Sequence, residues 1–287
     1  MSDDITPQLL RDWPLPMPAP DADKEVRGHV LIIAGSREIP GAVLLAATAA
    51  LRAGAGKLTI ATAASVATQI GIIVPEARVI GLAETLEGGL LVDDADGLRE
   101  VCRRANAVLI GPGMRDESTS TALVRALLPE CTAAALILDA EAMCIACDGW
   151  RFEQPVLLTP HAGEFAGLTG IAKEDINAGQ EAAAREAARR WQATVALKGA
   201  LTVIAAADGR EWHHRGGNSG LAISGSGDVL AGLIAGLAAR GAPLEQAAAW
   251  GVALHAMAGE QLSLRHGPLG YLAREISAEV PALLRAL

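Results

Sequence analysis

The segment Gly225-Ser226-Gly227-Asp228 sets an acid directly behind a run of small residues, and Val229-Leu230-Ala231-Gly232 continues it as an apolar, helix-forming stretch. A glycine-rich turn that opens onto a helix exposes unpaired backbone N–H groups, and the helix dipole adds partial positive charge at the same point. Gly225, Ser226 and Gly227 are therefore read as an anion hole. On the first helical turn beside a bound phosphate, Asp228 could accept a proton from a substrate hydroxyl as that oxygen attacks phosphorus. Acids also cap helices in general, and glycines also make tight turns. The four residues by themselves leave both readings open.

Other residues with chemical potential follow short apolar runs. Lys198 comes directly after Thr194-Val195-Ala196-Leu197, where its ammonium would either offset phosphate charge or sit solvated at a strand end. His161 follows Val156-Leu157-Leu158 and Thr159-Pro160, in a turn where an imidazole could donate to a polar group of a ligand. Three residues on, Glu164 suits the positive end of the next helix. Gly111-Pro112-Gly113 removes the Cβ atoms that would keep a ligand at a distance.

Two further groups attract no assignment. Cys144 and Cys147 have C-x-x-C spacing but lack two further ligands at matched positions, and His213 and His214 lack a carboxylate or cysteine at metal-ligand spacing. No metal ligands are assigned.

The elements that must position these residues alternate. His29–Ala34 reads as a buried strand, Gly35–Gly41 as a turn, and an Ala- and Leu-rich helix runs from Ala42 to Ala53, closed by Gly54 and Gly56 before a strand at Lys57–Thr62. This βαβ pattern implies parallel strands with a right-handed crossover. It continues through the apolar runs at 107–110, 135–138, 156–158 and 194–197, each ending in polar or glycine-rich residues. In open parallel sheets the ligand crevice lies beyond the carboxyl ends of the strands, so these residues are expected along one edge. Gln180–Gln192 reads as a charged helix with Arg185, Arg189 and Arg190 on a solvated face. Helices are also expected from Asp228 to Ala239 and from Leu244 to Leu262.

Composition agrees with an α/β fold of three layers, helices on both faces of a mostly parallel sheet. Of the 287 residues 51% are hydrophobic, mostly small aliphatics that let helices approach a sheet closely. The net charge of −9 argues against an extended nucleic-acid surface. Neither a signal peptide nor an apolar stretch of the roughly 18 to 20 residues needed to cross a bilayer is evident, and a cytoplasmic location without a membrane partner is expected.

Beyond these local readings, six stretches occur in one characteristic order. They are Ala34-Gly35-Ser36 with Gly41-Ala42, Leu51-Arg52-Ala53-Gly54-Ala55-Gly56, Ile110-Gly111-Pro112-Gly113-Met114, Thr159-Pro160-His161-Ala162-Gly163-Glu164, Lys198-Gly199-Ala200-Leu201-Thr202, and the glycine-rich run ending at Asp228. From about Gly28 to Leu287 the chain resembles the ADP-dependent (S)-NAD(P)H-hydrate dehydratases of the ribokinase-like superfamily. Residues 1–27 stand before this resemblance as an N-terminal extension, and 28–287 are expected to form one ribokinase-like domain. Glu141 and Ile39 depart from the family's usual residues.

The resemblance implies that Ala42, Gly113, His161 and Asp228 line the hydrated nicotinamide, with Asp228 catalytic. It further implies that Lys198, Gly199, Ala200, Leu201, Thr202 and Gly227 contact the nucleotide. ADP as phosphoryl donor, Mg²⁺ on its phosphates, a homo-oligomer such as a tetramer, and a separate epimerase are expected with it. Two alternatives share the glycine turn: a thiazole or hydroxymethylpyrimidine kinase, and a non-catalytic nucleotide sensor, which would be expected to lose the acid.

Overall fold

The computed structural model describes residues 2–19, 21–91 and 96–287. Its strands are β1 (Ser2–Asp4), β2 (His29–Ile33), β3 (Lys57–Ala63), β4 (Ala77–Leu82), β5 (Ala107–Ile110), β6 (Ala135–Leu138), β7 (Val156–Leu158), β8 (Thr194–Leu197), β9 (Leu201–Ala205) and β10 (Glu211–Arg215). They form one sheet in the order β1-β10-β9-β8-β7-β6-β5-β2-β3-β4. From β4 across to β8 every pairing is parallel, whereas β9 runs antiparallel to both β8 and β10. The N-terminal extension is tied in, because β1 pairs with β10.

Both faces of the sheet are covered, which is why its central strands read as continuous apolar runs. Within β2, Val30 and Ile32 pack into one core cluster and Leu31 and Ile33 into the other. The first cluster takes in helices Gly41–Arg52, Ser226–Ala239, Leu244–His266 and Ala273–Ala286; the second takes in Glu117–Leu127, Ala162–Thr169 and Gln180–Trp191. A three-layer α/β architecture results.

Helices Gly41–Arg52 and Ser226–Ala239 approach unusually closely. A Cβ on Gly232 would stand 2.2 Å from the carbonyl oxygen of Ala46, and one on Gly236 would stand 2.4 Å from that of Ala50. Both steps are four residues and both ascend, so the two helices run in the same direction. One turn earlier, the same register sets Asp228 level with Ala42. The fold thereby brings two residues 186 positions apart in the chain (228 − 42) to the same end of one helix pair.

Two expectations need correction. Helix Ser226–Ala239 begins two residues before Asp228, so Ser226 and Gly227 belong to its first turn and Gly225 is its N-cap. The basic face of Gln180–Trp191 is not wholly solvated either: Arg185 Nε and Nη2 donate to Glu211, a buried acid on β10, and that charge pairing fixes the side chain.

Candidate active site

Because β2 and β5 to β8 are parallel neighbours, the residues after them are laid along one edge in strand order. Lys198 follows β8, Thr159–His161 follow β7, Asp139 follows β6, Gly111–Gly113 follow β5, and Gly35–Ser36 lie just beyond β2. The connection reverses direction between β5 and β2, where such sheets open a crevice. Cross-links hold the loops together: Lys198 N donates to Pro160 O at 2.8 Å, and Gly35 N donates to Pro112 O at 2.7 Å.

A cluster of charge occupies the Lys198 end of this edge. Asp139 is buried and accepts from Thr159 Oγ1 at 2.6 Å and from Lys198 Nζ at 3.3 Å. Glu164 lies 3.9 Å from the same ammonium, whose side chain is only 18% exposed. Lys198 is therefore not a solvated strand-end residue. Burial works against its charge, but Asp139 and then Glu164 outweigh burial and raise its pKa. The Asp228 carboxyl is pushed up to about 7, chiefly by burial and then by Asp139, with Lys198 opposing. Near neutral pH, Asp228 thus exchanges a proton readily, as a general base must.

The helix behind Asp228 is opened by Gly225 at φ 88°, and a Cβ there would strike Leu45 Cδ1 at 2.4 Å. The amide of Ser226 is used by Ile223 O and that of Val229 by Gly225 O. Between them, the amides of Gly227 and Asp228 donate to no group among the described residues. Two free N–H groups on a helix's first turn make an anion site, and Lys198 Nζ lies 3.5 Å from where a Cβ on Gly227 would be.

These groups border a cavity of about 840 Å³ lined by His161, Lys198, Gly199, Ala200, Thr202 and Gly227 and, from the other side, by His255 and Val252. That volume is in the range of small-molecule and cofactor sites. Leu201 begins β9 and does not line it; nor do Ala42, Gly113 or Asp228. His255 was not anticipated. Its Nε2 is 3.1 Å from Ser226 O, a group that only accepts, so Nε2 carries the hydrogen and also reaches Ser226 Oγ at 3.0 Å. Burial lowers its pKa to about 4, leaving a neutral ring that buttresses the anion-binding turn.

The edge around Ala42 and Gly113 is built by contact instead. Gly113 has φ 66°, and a Cβ there would meet Ala42 Cβ at 2.5 Å and the Ile39 carbonyl at 2.9 Å. Ala42 and Gly113 are thus one surface, with Ile39 beside it and Asp228 level with it across the helix pair. His161 belongs with the Lys198 cluster, bridged to it in parallel backbone register: its Nδ1 accepts from Gly163 N at 3.0 Å and Glu164 N at 3.1 Å, while Glu164 Oε2 accepts from His161 N at 2.8 Å. With Nδ1 accepting in this capping box, Nε2 is left as a donor; it lies 3.7 Å from Glu164 Oε2, and the residue lines the cavity.

The groups left without a role gain neighbours that spacing concealed. His213 lies between Glu181, 3.8 Å from Nδ1, and Glu211, 3.7 Å from Nε2, so carboxylates do flank it in space. Glu117 joins Cys144 and Cys147, with all three ligand atoms within 4.8 Å of one another. The Cys144 thiol is pushed up to about 12 by burial and then by Glu117, and so is protonated at neutral pH rather than a ready thiolate. Glu141 accepts from it at 3.9 Å.

Comparison with known proteins places the chain among relatives. Residues 30–282 match the family model described as NAD(P)H-hydrate dehydratase. The chain is 48% identical over 285 residues to the ADP-dependent (S)-NAD(P)H-hydrate dehydratase of Xanthomonas campestris, covering 99% of this chain and 96% of that one. It is 38% identical to the bifunctional NAD(P)H-hydrate repair enzyme of Moorella thermoacetica, of which it spans 52%. Among solved structures, the ADP/ATP-dependent NAD(P)H-hydrate dehydratase of Bacillus subtilis, co-crystallized with ATP/Mg²⁺, superposes with a TM-score of 0.83 at 31% identity, covering 99% of this chain and 98% of that one. A hydroxyethylthiazole kinase from Pyrococcus horikoshii, at TM-score 0.60 and 20% identity, shares the fold.

Proposed function

Because this chain belongs to the NAD(P)H-hydrate dehydratase family, we propose that it removes water from the S epimer of hydrated NADH or NADPH at the expense of ADP. The observation that carries the proposal is Asp228. An acid with a pKa of about 7 sits on a helix turn with two free amides, in electrostatic reach of the buried Lys198 ammonium and level with the Ala42–Gly113 surface.

In this reading Lys198 and the amides of Gly227 and Asp228 hold the β-phosphate of ADP. Residues 198–200 and Thr202 contact the rest of the nucleotide in the cavity; Leu201 keeps the β9 turn in place. The hydrate lies against Ala42 and Gly113, with His161 Nε2 donating to it. Asp228 takes the proton of the ring hydroxyl as that oxygen attacks the β-phosphorus, and the bond to AMP breaks. The carbon–oxygen bond of the new phosphate ester then breaks, pushed by the ring nitrogen's electron pair, and a proton leaves the adjacent carbon. Reduced nicotinamide, AMP and phosphate result. Phosphate is a far better leaving group than hydroxide, which is what the nucleotide contributes.

Mg²⁺ takes oxygen ligands, and the carboxylates of Asp139 and Glu164, clustered at the anion site, are donors of that kind. They are the residues that would hold it, where it would neutralise charge on the phosphate oxygens. The catalytic unit is taken as residues 28–287, acting in the cytoplasm as a homo-oligomer alongside a separate epimerase. No helix among the described residues is long and apolar enough to cross a membrane. Incubation with the synthetic hydrate and ADP should return reduced nicotinamide in step with AMP and free phosphate. A stable phosphorylated alcohol, with no recovery of nicotinamide absorbance, would replace this reading with a kinase.

A further inference from the structure

The helix pair that carries Asp228 and Ala42 at one end bounds a second cavity at the other. Helix Gly41–Arg52 closes at Ala53 and Gly54, and helix Ser226–Ala239 closes at Arg240. Arg240 clamps the two ends: Nη1 donates to Ala53 O at 2.9 Å and Nη2 to Pro16 O at 2.9 Å, while its side chain packs on Gly54. Beyond this clamp lies a space of about 550 Å³, separate from the nucleotide cavity and sharing no wall residue with it.

The composition of its wall is what calls for a ligand. Leu10, Leu15, Trp250 and Leu284 make it apolar, and four arginines, Arg11, Arg27, Arg240 and Arg285, line it as well. No Asp or Glu side chain lines it, the terminal residue Leu287 with its α-carboxylate being the one source of negative charge on the wall, and none of the four arginines makes an ion pair among the described residues. In a chain of net charge −9, four arginines on the wall of one apolar space without an ion pair is a costly arrangement, and among the described residues Arg11 and Arg27 donate only to neutral oxygens, Gln8 Oε1 and Gly54 O. Arg240 registers that cost. Its pKa is lowered, first by burial and then by the charge of Arg27. Part of Arg240 serves the clamp, yet a clamp requires neither three further arginines nor a wall without a single acidic side chain.

We propose that this cavity is a second ligand site, which takes a small organic anion with an aromatic or branched aliphatic body. The apolar wall would receive the body of the ligand, and the anionic group would face the guanidinium groups, whose planar donor forks suit carboxylates, sulfonates and phosphates. Nothing in this depends on the dehydratase reaction, because the cavity shares no residue with the site proposed for it.

The test uses the full chain with saturating ADP, so that an anionic dye cannot report from the nucleotide cavity. Titration with 8-anilinonaphthalene-1-sulfonate should show saturable fluorescence enhancement at one site per chain. Its uncharged analogue, N-phenyl-1-naphthylamine, should bind at least about tenfold more weakly. The double variant Arg27→Gln, Arg285→Gln changes two exposed side chains outside the catalytic machinery. It should keep its circular dichroism and turnover while losing about tenfold in dye affinity. Should that variant prove unstable, Leu284→Trp, which fills the space, should abolish the signal. Enhancement that ADP removes, equal binding of the two dyes, or affinity indifferent to these substitutions would each overturn the proposal.

Discussion

The two halves of the candidate site are held in place by different physics. On the nucleotide side, position is set by charge: Asp139 and Glu164 fix Lys198, Lys198 restrains the pKa of Asp228, and His255 steadies the turn that offers free amides. Across the helix pair, the Ala42–Gly113 surface has no charge and is defined by how closely backbones approach. A charged arrangement can be broken by deleting one partner, because the others remain buried and uncompensated. A surface of contact is broken by adding atoms. Substitutions on the two sides should therefore fail in different ways.

The largest effect is expected from Asp228→Asn, which keeps the shape and removes the base. Turnover should fall on the order of 10²- to 10⁴-fold, with ADP affinity by calorimetry nearly unchanged. Wild-type turnover in this variant would remove Asp228 from the chemistry. The parent's rate should also fall as pH drops through about 7, where Asp228 takes up its proton.

Lys198→Ala should act first on nucleotide binding, since in the proposed reading its ammonium meets phosphate already charged in the ground state. Loss of a charge-assisted contact of roughly 1.5 to 3 kcal/mol corresponds to a loss of about ten- to 150-fold in ADP affinity. A second signature follows from the cluster. Lys198 holds the Asp228 pKa down, so its removal should move the acid limb of the pH–rate profile to higher pH. Weaker ADP binding with an unmoved limb would show that the two groups are not coupled.

Gly113→Ala tests the other side. The new methyl group would press on Ala42 in a backbone conformation that suits glycine, and the KM for the hydrate should rise by about tenfold. ADP affinity should hold. Equal losses for both ligands would mean that the contact surface and the charged cluster are one rigid unit.

How much of this was legible in the sequence depended on how local the interaction is. The glycine turn, its helix and Asp228 are contiguous, and helix-start chemistry needs only neighbouring residues, so the turn could be read directly. So could the cap made by Glu164, three residues from His161. Asp139 and His255 could not, because each acts on a residue far along the chain, 59 positions away for Lys198 and 29 for Ser226. Lys198 remained ambiguous until the sheet showed what surrounds it. The parallel strands were visible as buried apolar runs, whereas Glu211-Trp212-His213-His214-Arg215 is too polar to announce a strand. Its acid is buried only because Arg185 crosses from a helix to meet it.

His161 stands beside Lys198 although its proposed partner is the hydrate, and it gives the smallest and most discriminating effect. In the proposed reading its ring has two jobs on different nitrogens: Nδ1 caps helix Ala162–Thr169, and Nε2 donates to the hydrate. Asn is itself a good N-cap, since its side-chain oxygen accepts from the same amides. His161→Asn should therefore keep the cap and lose the donor. His161→Ala should lose both and cost about 1 kcal/mol of stability. If the ring serves the hydrate, His161→Asn should unfold at the parent's temperature and bind ADP as the parent does. Its KM for the hydrate should rise by roughly two- to tenfold, the value of one neutral hydrogen bond. If ADP affinity falls instead and the hydrate KM holds, His161 belongs to the nucleotide side, and the boundary between charge and contact lies beyond it, at the Ala42–Gly113 surface. A loss of stability in the Asn variant equal to that in the Ala variant would show that the cap geometry is specific to the imidazole, and the two jobs would then be inseparable at this position.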